Sequence, residues 1–142
     1  MTAPLAGKTI LMSGGSRGIG LAIALRAAAD GANIALLAKT DVPDPRLPGT
    51  IHTAAEEIRA AGGNALAIVG DVRNDDDITE AVMKTQGEFG GIDIVVNNAS
   101  VLSLAGSLDL DAKRYDLMQD VNVRGTFMLS RAAIPILRDA AN

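Results

Sequence analysis

Apolar and polar positions along this chain switch repeatedly between two periods. The run K-T-I-L-M-S, Lys8 to Ser13, is apolar without alternation and closed by glycines, as expected of a short strand buried on both faces. From about Gly18 to Ala29 the apolar positions move to helical spacing at Leu21, Ala24, Leu25 and Ala28, and Gly31 stands where such a helix stops. N-I-A-L-L-A, Asn33 to Ala38, predicts a second strand. The next stretch, T-D-V-P-D-P-R-L-P-G, carries three of the five prolines and no period, and reads as a long loop. Thr50 to Gly63 predicts a helix: Thr53 and Glu56 have capping-box spacing, and Thr50 is the alternative cap. A-L-A-I-V-G, Ala65 to Gly70, is a third strand. Asn74 to Gly91 is a helix with a cap residue at its start and carboxylates against its positive end. I-D-I-V-V-N-N-A-S, Ile92 to Ser100, is a fourth strand running into a loop, and a last helix covers about Asp111 to Arg138, with Pro135 as a kink or fray point.

Four strands alternating with four helices, βαβαβαβα, with strands apolar on both sides, imply an α/β fold: a doubly wound parallel sheet covered on both faces and linked by right-handed crossovers. At 142 residues the chain accommodates one unit, 1–142, with a core of its own. That core is aliphatic, because Phe89, Tyr115 and Phe127 are the only aromatics. Stacking platforms for single-stranded nucleic acid are therefore missing, and a formal charge of −4 argues against nucleic acid or a membrane surface as partner. The absence of cysteine removes thiolate catalysis and cysteine-based zinc sites, and a lone His52 speaks against a multi-histidine metal site, so no metal is expected. The amino terminus lacks a secretory pattern and no apolar run approaches the ~20 residues of a membrane span, which makes the cytoplasm the default expectation.

Chemistry concentrates in S-G-G-S-R-G-I-G, Ser13 to Gly20. A glycine turn between a buried strand and a helix start aims unpaired backbone N–H groups and the positive helix end at one space, which suits an anion. Gly14, Gly18 and Gly20 let a pyrophosphate approach the backbone, the dinucleotide-binding arrangement of a Rossmann-type sheet. The G-x-S-x-G spacing of Gly14 to Gly18 also fits a hydrolase nucleophile elbow at Ser16, but that elbow sits deep in a sheet already built, not after a first strand. A triphosphate P-loop needs Lys-Ser or Lys-Thr after its last glycine, where Leu21 and Ala22 stand. On this stretch alone a glycine-rich turn without ligand remains open.

Four markers occur in order: Ser13-Gly14-x-x-x-Gly18-x-Gly20, Asp71 after the third strand, Asn97-Asn98-Ala99-Ser100 after the fourth, and Asn122 in the last helix. In these the chain resembles the short-chain dehydrogenase/reductase family over essentially its whole length, with Ser13 where threonine is usual and Ser100 where glycine is usual. The proline-bearing insertion, together with G-G-I-D-I-V-V-N-N-A-S and D-L-M-Q-D-V-N-V-R-G-T-F, is similar to the hydroxysteroid-dehydrogenase-like subgroup. The resemblance implies an oxidoreductase that passes hydride between a nicotinamide and an alcohol or carbonyl substrate. Cofactor-binding residues would be Gly14, Gly15, Ser16, Arg17, Gly18, Ile19 and Gly20 at the turn and Asp71 and Val72 at the adenine. Asn98 and Ala99 would line the nicotinamide ribose, and Asn97 would secure the neighbouring strands.

Lys39 ends the second strand where an NAD-binding protein usually has an acid, and Arg17 is a second cation; in the family a basic residue at either position goes with NADP(H). Asp41 would favour NAD(H) if turned toward the ribose. Of the catalytic residues only Asn122 has a counterpart. The family's Tyr-x-x-x-Lys is not among these residues, since Tyr115 is the sole tyrosine, is followed four positions later by Gln119, and precedes Asn122. The expectation is a chain truncated before the catalytic tyrosine and lysine, inactive alone, its fourth strand unpaired on one edge and its last helix exposing Leu129, Ile134 and Leu137, with homo-oligomers formed by the complete protein. A non-catalytic nucleotide-binding or interaction module is the alternative.

Overall fold

The computed structural model describes residues 3–140; Met1, Thr2, Ala141 and Asn142, the ends of the expected unit, lie outside the described residues. Four strands, β1 (Thr9–Ser13), β2 (Asn33–Ala38), β3 (Asn64–Val69) and β4 (Ile94–Asn97), form one parallel sheet in the order β3-β2-β1-β4. Between them lie α1 (Gly18–Ala29), α2 (Ile51–Ala60) and α3 (Asp75–Phe89). After β4 the chain forms α4 (Ala112–Met118), a π-helical segment (Gln119–Gly125) and α5 (Thr126–Leu137). The α/β, doubly wound, Rossmann-type architecture expected from the pattern is the one observed.

The unbroken apolar strands have a direct cause, which is that alternate residues feed two cores. Ile10, Met12, Ile34, Leu36 and Ala38 pack with Ala24, Ala28, Ile51, Ala54 and Ile58 of α1 and α2. Leu11, Ala35, Leu37 and Ile68 point the other way and pack with Ile78, Ala81 and Val82 of α3, Val121 of the π-helical segment and Leu129 and Ala133 of α5. Leu129, expected at the surface, is fully buried here. It lies on the side of α5 that closes the second core, whereas Ile134 and Phe127 face outward and Leu137 is half-buried.

Two further expectations are refined. Thr50 caps α2: its side chain accepts the Thr53 amide while Thr53 Oγ1 accepts the Thr50 amide at 2.8 Å, so the reciprocal partner is Thr53 and Glu56 takes no part. The last helix is regular on either side of the π-helical segment, and Pro135 lies two residues before its end at Leu137. The irregularity is thus far upstream of the proline. Among the described residues no helix is long and apolar enough to cross a membrane.

Candidate functional site

All four strands are parallel, so their carboxyl ends share one rim, and between β1 and β4 the chain order reverses; a doubly wound sheet opens its crevice at that point. A cleft of about 510 Å³ lies there. It runs from the exits of β2 and β3, at Lys39, Thr40, Asp71 and Arg73, past Gly14, Arg17 and Ile19, to Asn98, Ala99, Ser100 and Val101 after β4.

Its floor is the glycine turn. Gly14 has φ +73°, and a Cβ there would stand 2.9 Å from Ala99 Cα; a Cβ on Gly20 would stand 2.5 Å from Asn98 Nδ2. These two glycines are required by packing, because Asn98 fills the space beside them and donates from Nδ2 to the Gly14 carbonyl at 2.8 Å. The Ser13 hydroxyl, standing where threonine was expected, accepts the Ala99 amide at 3.1 Å and ties β1 to the same loop. Gly18 differs: its φ is +57° and a Cβ would meet nothing within 4 Å, so it faces open space. Gly15 is tucked against Leu36, and Ser16 is buried. Arg17 precedes α1 with no side-chain capping bond, and no acid occupies the first turn. The leading N–H groups of α1 are left without a side-chain acceptor, the condition under which a helix start attracts an anion.

At the β2 end of the cleft the charges are sorted. Arg17 Nη2 donates to Thr40 Oγ1. Lys39 Nζ lies 3.5 Å from Asp71 Oδ2. Arg73 donates from Nε to both Asp71 oxygens at 3.1 Å and from Nη2 to Oδ2 at 2.7 Å, and its backbone N–H reaches Oδ1 at 2.9 Å. Bonding from the Arg73 side chain, opposed by partial burial and helped by the positive charges of Arg73 and Lys39, holds the Asp71 carboxyl down at about 2. Asp41 is held by His52, with Oδ1 2.5 Å from Nε2.

Toward β4, Asn122 uses both ends of its amide on one residue: Oδ1 accepts the Val101 N–H and Nδ2 donates to the Val101 carbonyl, each at 2.8 Å. Asn122 thereby fixes the chain leaving β4 and does not line the cleft directly. The π-helical segment that carries it lies against Val72, close enough that a Cβ on Gly125 would stand 2.9 Å from Val72 Cγ2. Arg124 forks onto Asp75 at 2.9 and 3.1 Å, joining the same segment to α3. Asn97 donates to Ser130 Oγ of α5, a helix and not a neighbouring strand, and Tyr115 is half exposed on α4. Ser100 does not adopt the positive φ a glycine would allow.

The fold thus brings together the turn residues, Lys39, Asp71, Val72, Asn98 and Ala99. Thr40 and Arg73 also line the cleft and were not singled out from the sequence. The clue to Arg73 was its place two residues after Asp71, the spacing at which an arginine reaches back to a carboxylate in a turn.

Comparison with known proteins agrees with this geometry. A family model described as short chain dehydrogenase matches residues 8–142. Hydroxysteroid dehydrogenase-like protein 2 of Homo sapiens is 58% identical over 96% of the chain, which spans 33% of that relative's length. A short chain dehydrogenase from Mycobacterium thermoresistibile is 57% identical with a TM-score of 0.94, covering 96% of this chain and 49% of the solved one. An NADH-dependent reductase crystallised with NAD is 32% identical with a TM-score of 0.84, over 99% of this chain and 56% of that one.

Proposed function

The chain belongs to the short-chain dehydrogenase family, and on that premise we propose that it forms the cofactor-binding portion of an NADP(H)-dependent oxidoreductase acting on an alcohol or carbonyl. One observation carries the choice of cofactor. In a chain of net charge −4, the cleft is lined by three cations, Arg17, Lys39 and Arg73, and by one carboxylate, Asp71, which Arg73 and Lys39 flank. A surplus of two positive charges suits a ribose phosphate and has no evident use with a bare ribose. Asp41, which would favour NAD(H) if turned toward the ribose, is engaged by His52.

The residues present fit such a group. The α1 start with Gly18 open beside it receives the pyrophosphate, Arg17 and Lys39 receive the extra phosphate, and Asp71 and Val72 border the adenine. Asn98 and Ala99 border the nicotinamide ribose. When bound, the nicotinamide supplies or accepts the hydride. Asn122 contributes by holding the Val101 backbone, and through it the wall on which Asn98 to Ser100 are mounted. Assembly of the whole protein into homo-oligomers is part of the same reading, supported by the outward-facing Phe127 and Ile134 of α5.

The test is a fluorescence titration of NADPH and NADH against the intact protein and its Lys39→Ala variant. A charge-assisted contact contributes about 1.5–3 kcal/mol, so wild type should prefer NADPH by roughly tenfold to a hundredfold and the variant should lose most of that preference. Equal affinities in wild type would remove the NADP(H) assignment.

A further inference from the structure

We infer that Arg73 is a positioning residue for cofactor preference: by saturating Asp71 it leaves the Lys39 ammonium available to a ribose phosphate. The inference rests on the NADP(H) reading above and deepens it.

Asp71 has one negative charge and two cations beside it, and the geometry shows which one holds it. Arg73 makes three side-chain contacts between 2.7 and 3.1 Å, two of them from Nε, and adds its own backbone N–H at 2.9 Å. Lys39 stands at 3.5 Å, beyond the 2.7–2.9 Å of a charge-assisted hydrogen bond, and its side chain is 64% exposed. A rigid fork bonded at both oxygens outcompetes a flexible ammonium touching one. Without the Arg73 side chain Oδ1 would keep only the backbone N–H of residue 73, and Oδ2, the oxygen nearest Lys39, would be left open to that ammonium. A Lys39 drawn into a close pair with Asp71 is withdrawn from the phosphate and its charge is cancelled locally. Arg73 therefore acts on the phosphate through Asp71 and Lys39. The same arrangement explains why an acid and a phosphate-binding lysine coexist 3.5 Å apart on one wall.

The experiment measures dissociation constants of NADPH and NADH for intact wild type, Arg73→Gln, Arg73→Lys and the double variant Arg73→Gln/Asp71→Asn. Arg73→Gln should cut the NADPH-over-NADH preference about tenfold, chiefly through NADPH. Arg73→Lys, which keeps the charge and loses the fork, should cut it to a smaller extent. The double variant should regain the wild-type preference, because the anion that captures Lys39 is gone; a merely structural role for Arg73 would not be rescued in this way. If Arg73→Gln does not fold, Arg73→Lys decides, since an unchanged preference there overturns the inference. A preference that survives Arg73→Gln, or one that Asp71→Asn fails to restore, also overturns it and leaves the NADP(H) reading standing. A wild type without preference removes that reading, and this inference with it.

Discussion

Two helices begin at the same rim of the sheet, α1 after β1 and α3 after β3, and they are finished in opposite ways. At α3, Asn74 accepts the amides of Asp76 and Asp77, three aspartates occupy the first turn, Asp77 takes the Asp71 amide at 2.8 Å, and Asp75 is forked by Arg124. Its positive end is neutralised from within. At α1 the cap position holds an arginine that bonds elsewhere, to Thr40, and the first turn has no acid and a glycine facing open space. An amino terminus capped by its own side chains contributes to stability; one left uncapped keeps its field for something brought from outside. The difference separates a helix start satisfied by its own side chains from one left open within a single rim.

The comparison breaks most visibly if α1 is finished like α3. Arg17→Asp places a capping acid at an extended backbone position, φ −162°. Helix capping should gain about 1 kcal/mol, while dinucleotide affinity falls about a hundredfold through loss of the guanidinium and addition of a like charge. Thermal unfolding and nucleotide titration on the same variant check this, and a Tm that falls along with the affinity would make Arg17 structural. The reverse change, Asn74→Ala at α3, should cost about 1 kcal/mol of stability and leave nucleotide affinity unchanged; a parallel loss of affinity would show that the two starts are not separable.

The smallest effect lies in acid. The Asp71 carboxyl is held at about 2 against an ordinary 3.8, so its contribution to stability is complete above the ordinary value and fades as pH falls toward 2. Urea unfolding of wild type and Asp71→Asn across that window should show a shallower pH slope in the variant. Some slope should remain, because Arg46 and Arg124 likewise depress Asp44 and Asp75. Identical slopes would mean that the Arg73 fork does not persist in solution.

Much of this was legible along the chain. The four strands, the start and stop of α1, the Asn74 cap and the glycine turn follow from local pattern, because burial on two faces demands unbroken apolar strands and a helix needs its ends satisfied near in sequence. The glycine turn, read from the sequence as an anion site, lies at the cleft, but its glycines divide in a way no spacing reveals. Gly14 and Gly20 make room for Asn98, which is distant in sequence, and only Gly18 faces open space. Leu129 looked exposed because helical period alone does not say which stripe meets a sheet when two stripes are apolar. The π-helical segment was invisible for a related reason: it coincides with the Asn122–Val101 bonds and the close approach of Gly125 to Val72, contacts made across the fold.

By itself, then, the sequence determined the alternation of elements, the two-faced strands and the presence of a glycine-rich, side-chain-poor turn, since each of these depends on neighbours within a few residues. Only the tertiary structure decided which charges stand free. Lys39 and Asp71 lie on different strand exits and meet because β2 and β3 are paired in register, and Arg73 reaches Asp71 because the loop folds back on itself. Electrostatic partnership depends on distance in space, and a linear order of residues does not contain it until the sheet has closed.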